Sequence, residues 1–206
     1  MCFFVEPATL VGDHVVIQPL EPSHAEGLFE IGSDPSIWRW LPESHFTCPE
    51  DACSYIKRAL DLKATGEEFP FVVIDRASGK IAGTTRYLEI SEKNQGIEVG
   101  WTWYGSEFQR TAVNTETKFL LLGYAFEALG AIRVQLKTDS RNLRSQTAIQ
   151  RIGASFEGTL RNHRILPKDG YLRDTVYFSI IDTEWPHVKS KLCELLKPQT
   201  SDQRVR

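Results

Sequence analysis

Glu98 is a carboxylate placed inside a strand pattern, and shortly after it Gln109-Arg110-Thr111-Ala112-Val113-Asn114 forms a polar loop ahead of a helix pattern. Each is a place where chemistry could occur. Over residues 96–103, Ile97, Val99, Trp101 and Trp103 alternate with the others, which predicts a strand carrying Glu98, Gly100 and Thr102 on its opposite face. A carboxylate inside a central strand is costly to bury unless paired or functional, and Gly100 beside it leaves room for a ligand. Glu98 is thus a candidate general base, acting directly or through a water. The alternative is a structural ion pair, for which Arg86 on the neighbouring strand is the candidate partner. The loop at 109–114 leads a strand into a helix N-terminus, where free backbone N–H groups and the helix dipole favour an anion such as phosphate. An ordinary strand-to-helix crossover is the competing reading.

Other chemistry finds less support. Cys2, Cys48, Cys53 and Cys193 are scattered, and neither they nor the five histidines show metal-ligand spacing. Free cysteines in a reducing compartment and no metal site are therefore expected. The P-loop and dinucleotide glycine patterns of nucleotide-binding proteins are missing. A net charge of −3 argues against general nucleic-acid binding. No run approaches the ~20 apolar residues of a membrane helix, and the first residues carry no basic leader. A cytoplasmic protein that binds neither membrane nor nucleic acid is the expectation.

The elements that must position these residues follow from periodicity. The 206 residues, 41% hydrophobic and 25% charged, suit one folded domain over 1–206 with a core at about 14–185. Residues 14–20 read as a strand. A helix follows to Gly32, with Ser23 and Glu26 as its capping pair. The aromatic segment 34–41 forms a turn or short helix. Thr47-Cys48-Pro49-Glu50 starts a second helix reaching Ala64. Residues 69–75 and 80–90 form a hairpin around turn chemistry at 77–80, and the strand holding Glu98 comes next. The helix after the loop runs from Asn114 to Leu129. A strand at 133–138, a helix at 142–152 closed by Gly153, and two strands at 155–166 and 171–181 complete the sheet. Thr183 caps a last helix at 183–197, ahead of a frayed polar tail at 198–206. Three consecutive strands and then a crossover predict a mixed sheet flanked by helices.

This order, with a phosphate-type loop after the fourth strand, resembles the GNAT superfamily of N-acetyltransferases, and more narrowly its RimJ/RimL-type branch, over roughly residues 14–185. The residues that carry the resemblance lie in four places. Gln109 to Asn114 is similar to the family's Gln/Arg-x-x-Gly-x-Gly/Ala acetyl-CoA loop, with Ala112 in place of the middle glycine, and Asn114-Thr115-Glu116-x-Lys118 extends it. Leu136-Lys137-Thr138-Asp139-Ser140-Arg141-Asn142-x-x-Ser145 is similar to the segment after the fifth strand. Ile152-Gly153-Ala154-x-Phe156 and Arg173-Asp174-x-x-Tyr177-Phe178-Ser179-Ile180 resemble the closing signatures.

The resemblance implies an α/β (α+β) fold with a mainly antiparallel sheet of six to seven strands. It implies transfer of acetyl from acetyl-CoA to a primary amine, either a protein N-terminal α-amine or a small molecule, by direct attack in a ternary complex. A catalytically silent acyl-CoA-binding or regulatory module on the same fold is the alternative, and monomer or homodimer are both open. The backbone N–H groups of residues 111–115 would hold the pyrophosphate, with Arg110 and Lys118 adding charge. The pantetheine would pair with the backbone at Trp101, Thr102 and Trp103. Asn142 would bond its amides, or else cap a helix. A tyrosine acid common in the superfamily falls on Ile149, so Ser145 becomes the candidate proton donor to the leaving thiolate, against an ordinary helix serine, with Tyr177 as fallback. Trp38, Arg86 and Tyr87 are candidates for the acceptor groove. Since Ala112 does not take positive φ easily, the loop must use ordinary angles there.

Overall fold

The computed structural model describes residues 8–197; the tail at 198–206 and Cys2 lie outside them. In chain order the elements are β1 (Leu10–Val11), β2 (Val15–Pro19), α1 (Ala25–Gly32), α2 (Pro49–Ala64), β3 (Glu68–Asp75), β4 (Ile81–Ser91), β5 (Gly96–Tyr104), α3 (Ala112–Gly123), β6 (Arg133–Asp139), α4 (Leu143–Arg151), β7 (Ser155–Ile165), β8 (Leu172–Ile181) and α5 (Trp185–Leu196). The strands form one sheet in the order β1-β2-β3-β4-β5-β6-β8-β7. Among the described residues eight strands replace the expected six to seven, because a two-residue β1 pairs with β2 at the sheet edge. Two residues carry no readable alternation.

Apolar periodicity divides the core in two. On one face Ile97, Val99, Val134, Leu136, Val176 and Phe178 pack against α3, α4 and α5. On the other, α1 and α2 bury an aromatic group of Trp38, Phe46, Tyr55 and Trp103, with Trp38 and Trp103 ring centroids 5.0 Å apart. Trp103 therefore does not share the face of Ile97 and Val99. The alternation breaks at a β-bulge: Arg86 opposes Gly100 and Thr84 opposes Trp103, so Trp101 and Thr102 both stand against Thr85. Trp101 takes φ 49° to make the extra residue fit.

The β5–β6 pair is parallel and short. It matches Gly96 to Arg133, Ile97 to Val134 and Glu98 to Gln135, and then stops. Beyond Glu98 the two strands run on unpaired with each other, which leaves ladder groups open between them.

Helix ends moved in small ways. Glu21, not Ser23, caps the first turn, with its N–H donating to His24 Nδ1 at 3.0 Å. Asp51 rather than Glu50 completes the box at α2, accepting N–H bonds from Thr47 at 2.7 Å and Cys48 at 3.2 Å. Glu184, not Thr183, precedes α5. The expected long third helix is α-helical only to Gly123 and continues as a π-turn over Tyr124–Ala128.

Candidate active site

A cleft of about 2340 Å³ opens where β5 and β6 diverge, between the N-terminal ends of α3 and α4 on one side and the segment before α2 on the other. Small-ligand pockets are typically ~300–1,000 Å³, so this one has room for two substrates together.

Glu98 lies at its floor, 1% exposed, at the last paired position before the strands part. Its Oε2 is 2.7 Å from Lys137 Nζ and accepts a hydrogen bond from Gln135 Nε2 at 3.0 Å. Arg86 is not its partner, since that guanidinium donates to Glu68 at 2.7 Å. Burial pushes the Glu98 carboxyl above its ordinary range, and Lys137 pulls it back only in part. Burial also acts to lower Lys137, but Glu98 and Glu89 together outweigh it and hold the ammonium above its ordinary value. The two directions are compatible: Glu98 loses nearly all its water for one cation, whereas Lys137 keeps some water and serves two carboxylates. Gly100 leaves no vacant space beside Glu98. A Cβ there would meet Leu88 Cδ1 at 2.6 Å and Glu98 Oε1 at 2.8 Å, so the missing side chain makes room for the carboxylate itself.

On the loop, the left-handed residue is Arg110, with φ 64°, and Ala112 begins α3 with ordinary helical geometry. Thr111 is the N-cap, its Oγ1 accepting from Val113 N–H at 3.2 Å. That leaves the amides of Thr111, Ala112 and Asn114 without a helical acceptor; the Thr115 amide falls within the helix ladder. The side chains of Val113 and Thr115 turn inward, Val113 to the core and Thr115 to Arg151, whose Nη2 donates to its Oγ1 at 2.8 Å. Gln109 is a clamp, donating to Tyr104 O at 3.0 Å and accepting from Arg144 at 2.6 Å.

Lys118, one turn into α3, is 6% exposed and donates to Thr102 Oγ1 at 2.9 Å; among the described residues no carboxylate pairs with it. Burial lowers its pKa to about 7. The bulge makes this contact, because it turns Thr102 from the Glu98 face toward α3.

Asn142 caps α4, its Oδ1 accepting from Ser145 N–H at 3.1 Å. Both residues line the cleft, as do Trp101, Thr102, Trp103, Gln109, Arg110, Thr111 and Asn114. Tyr177 does not line it. That ring sits behind Lys137, whose Nζ is 5.8 Å from the ring centroid, and burial raises the phenol.

Of the acceptor-groove candidates, Tyr87 is fully buried in the core under α3, its hydroxyl donating to Leu121 O at 2.5 Å, because strand register puts it opposite Val99. Trp38 is buried in the aromatic group with Nε1 on Gly32 O at 2.8 Å. Arg86 lies beneath the cleft, stacked between Tyr55 and Trp101 at 4.9 Å from each ring centroid. The cleft wall there is instead Arg39, Trp40 and Leu41.

The residues that sequence reasoning missed are Gln135 and Lys137. Their signal was present: they alternate with Val134 and Leu136 on a strand whose apolar face is buried. On the far wall Lys168, in the β7–β8 turn, donates to Trp38 O at 2.9 Å and Arg39 O at 2.8 Å. Arg141 lies 3.4 Å from the Tyr171 ring centroid and 5.0 Å from that of Trp40. These contacts tie three segments together across that wall.

A family model described as "Acetyltransferase (GNAT) domain" matches residues 14–155. The solved structure of a GCN5-related N-acetyltransferase from Brucella melitensis superposes with a TM-score of 0.89 at 31% identity, covering 97% of this chain and 90% of that one. A putative ribosomal N-acetyltransferase, YdaF, from Bacillus subtilis is 28% identical over 85% of this chain and 95% of its own length. An uncharacterized N-acetyltransferase, p20, from Bacillus licheniformis is 25% identical over 86% of this chain and 98% of its own.

Proposed function

Because the chain belongs to the GNAT family of acetyltransferases, we propose that it transfers the acetyl group of acetyl-CoA to a primary amine by direct attack in a ternary complex, with Glu98 as the base. The observation that carries this reading is the placement of Glu98. A buried carboxyl, raised in pKa by lost water, stands where two strands part and a cleft for two substrates begins.

The residues present fit the cofactor. Three free amides at the start of α3 suit a diphosphate, with Arg110 and Lys118 adding charge. The unpaired strand edges past Glu98 suit a chain of amides, and Asn142 retains its Nδ2 hydrogens for one. Acetyl-CoA supplies an activated thioester. Glu98 takes a proton from the attacking amine, Ser145 gives one to the departing sulfur, and the proton on Glu98 returns through solvent to Ser145, which restores both groups. Lys137 neutralises the carboxylate between turnovers and keeps it aimed at the opening. Energetics favour an α-amine. One of pKa ~8 needs ~1.4 kcal/mol to be neutral at pH 7, whereas a lysine amine near ~10.4 needs ~4.6 kcal/mol. A relative named as a putative ribosomal N-acetyltransferase agrees with a protein as acceptor.

Thiol release from acetyl-CoA, with a panel of peptide and small amines, tests the reading. Glu98→Gln should lower kcat/KM about 10²–10⁴-fold while acetyl-CoA binding measured by calorimetry holds. The wild type should lose turnover on acidification through the raised Glu98 pKa, and the variant should lack that limb. Equal turnover of both proteins from pH 6 to 9 would remove Glu98 from the base role. Acetyl-CoA binding with no turnover on any amine would favour a silent binding module.

A further inference from the structure

The acceptor wall of the cleft holds two cations that the proposed reaction does not use. Arg164 of β7 and Arg173 of β8 are direct cross-strand partners in an antiparallel pair. Like charges in that relation destabilise a sheet. Neither guanidinium has an ion-pair partner within 4.0 Å among the described residues, and both line the cleft. Arg173 is half-buried, and its Nε is fully enclosed with no hydrogen-bond partner. Burial draws this guanidinium below its ordinary range, Asp139 restores part of the loss, and Arg164 opposes it.

Nearby carboxylates are already committed. Asp139 takes Arg141 at 2.8 Å, Glu98 takes Lys137 at 2.7 Å, and Glu89 takes both Lys137 and Gln135. Four cations, Arg141, Lys137, Arg164 and Arg173, face these three carboxylates, so one positive charge remains in excess, and neither Arg164 nor Arg173 has a carboxylate in contact among the described residues. These two arginines belong to the acceptor side. Arg173 shares its strand face with Thr175 and Tyr177, Tyr177 opposes Lys137, and Lys137 pairs with Glu98. The diphosphate amides at the start of α3 lie on the other face, with the core that contains Val113.

We infer that Arg164 and Arg173 form an oxyanion subsite for the acceptor, so that the amine acetylated here also carries a carboxylate or phosphate group. Two guanidiniums offer forked donors that suit either. This deepens the proposed transfer reaction and rests on it for the identity of the amine as acceptor.

The test uses matched amines differing in one group: alanyl-alanine against its carboxamide, 4-aminobutyrate against its amide, and O-phosphoethanolamine against ethanolamine. For the wild type, Arg173→Gln, Arg173→Lys and Arg164→Gln, kcat/KM is measured on each, together with the dissociation constant for CoA. In the wild type at least one anionic member should be preferred tenfold or more. That preference should vanish in Arg173→Gln, return in part in Arg173→Lys and weaken in Arg164→Gln, with CoA affinity unchanged. Preference for the carboxylate pair or for the phosphate pair distinguishes the two sources. Equal rates within every pair, a preference that survives in Arg173→Gln, or a parallel loss of CoA affinity would each overturn the inference. A second readout needs no turnover. N-acetyl-alanyl-alanine should raise the wild-type Tm more than its amide does, and Arg173→Gln should abolish the difference. That result without acetyl transfer to any amine would retain the subsite and reject the transferase reading; transfer without any anion effect would do the reverse.

Discussion

Lys118 concentrates the electrostatics of the proposed cofactor side in one residue. A buried ammonium with a hydroxyl as its hydrogen-bond partner is costly, and here the cost appears as a pKa lowered to about 7. Between that value and the ordinary lysine range, the unfolded chain holds a proton that the folded one has released. Stability should therefore rise with pH across this window, with the full cost carried below pH 7. Lys118→Met should stabilise the protein at pH 6.5 by about 2–5 kcal/mol, and the gain should fade toward pH 10. Thermal melts of both proteins over that range check it, and a gain independent of pH would show that packing, not charge, is responsible. If Lys118 also faces the diphosphate, CoA binding at pH 8 should draw protons from the buffer, which calorimetry in buffers of different ionisation heat would detect. At this scale the sequence was partly legible. The strand carboxylate Glu98, the cap Asn142 and the loop residues that line the cleft could be named from type and spacing. Tyr87 and Trp38 could not be excluded from the acceptor groove, because an aromatic residue reads the same whether its face meets a cleft or a core.

At the scale of elements, α3 does more than end the loop. Glu116 turns its carboxylate away from the cleft and accepts the N–H groups of Asp13, His14 and Val15 at 2.9, 2.6 and 2.7 Å. A Cβ on Gly12 would fall 2.4 Å from that carboxylate, so the turn must carry glycine there. The helix presenting the phosphate-type amides is thus pinned by its next turn to the start of β2. Replacing Glu116 with Gln puts an NH₂ group against three donors and should destabilise the fold by about 3 kcal/mol. Amide exchange should accelerate first at Val15 to Ile17; uniform acceleration across the sheet would show that the tie is not local. Strands and helices were read almost completely from periodicity, because nearly every one has a buried apolar face. The exceptions have physical causes. β1 is too short to alternate, the π-turn at Tyr124–Ala128 leaves helical spacing intact, and the box at α2 has Cys48 and Asp51 as its ends, one residue later than expected.

For the whole molecule, the cleft exists because the β7–β8 hairpin and the segment before α2 meet across it. Lys168 supplies the direct link with two carbonyl bonds, and Arg141 stacks between rings from both sides. Lys168→Ala should loosen that wall and raise the acceptor KM severalfold, leaving the acetyl-CoA dissociation constant as it was. Equal weakening of both would place the link on the cofactor path. Nothing in the sequence pairs Lys168 with residues some 130 positions earlier; such contacts arise only when the sheet is assembled. The bulge at Trp101 and Thr102 has a further consequence for how this chain can vary. β5 is read in two frames, one before the extra residue and one after. Ile97 and Val99 belong to one core, Trp103 to the other, and Tyr104 to the first again. Losing Trp101, the extra residue, would leave Thr102 alone against Thr85 and restore simple alternation, with Trp103 and Tyr104 keeping their present cores. A chain one residue shorter here should therefore keep both cores and lose the left-handed backbone at Trp101, whose φ is 49°.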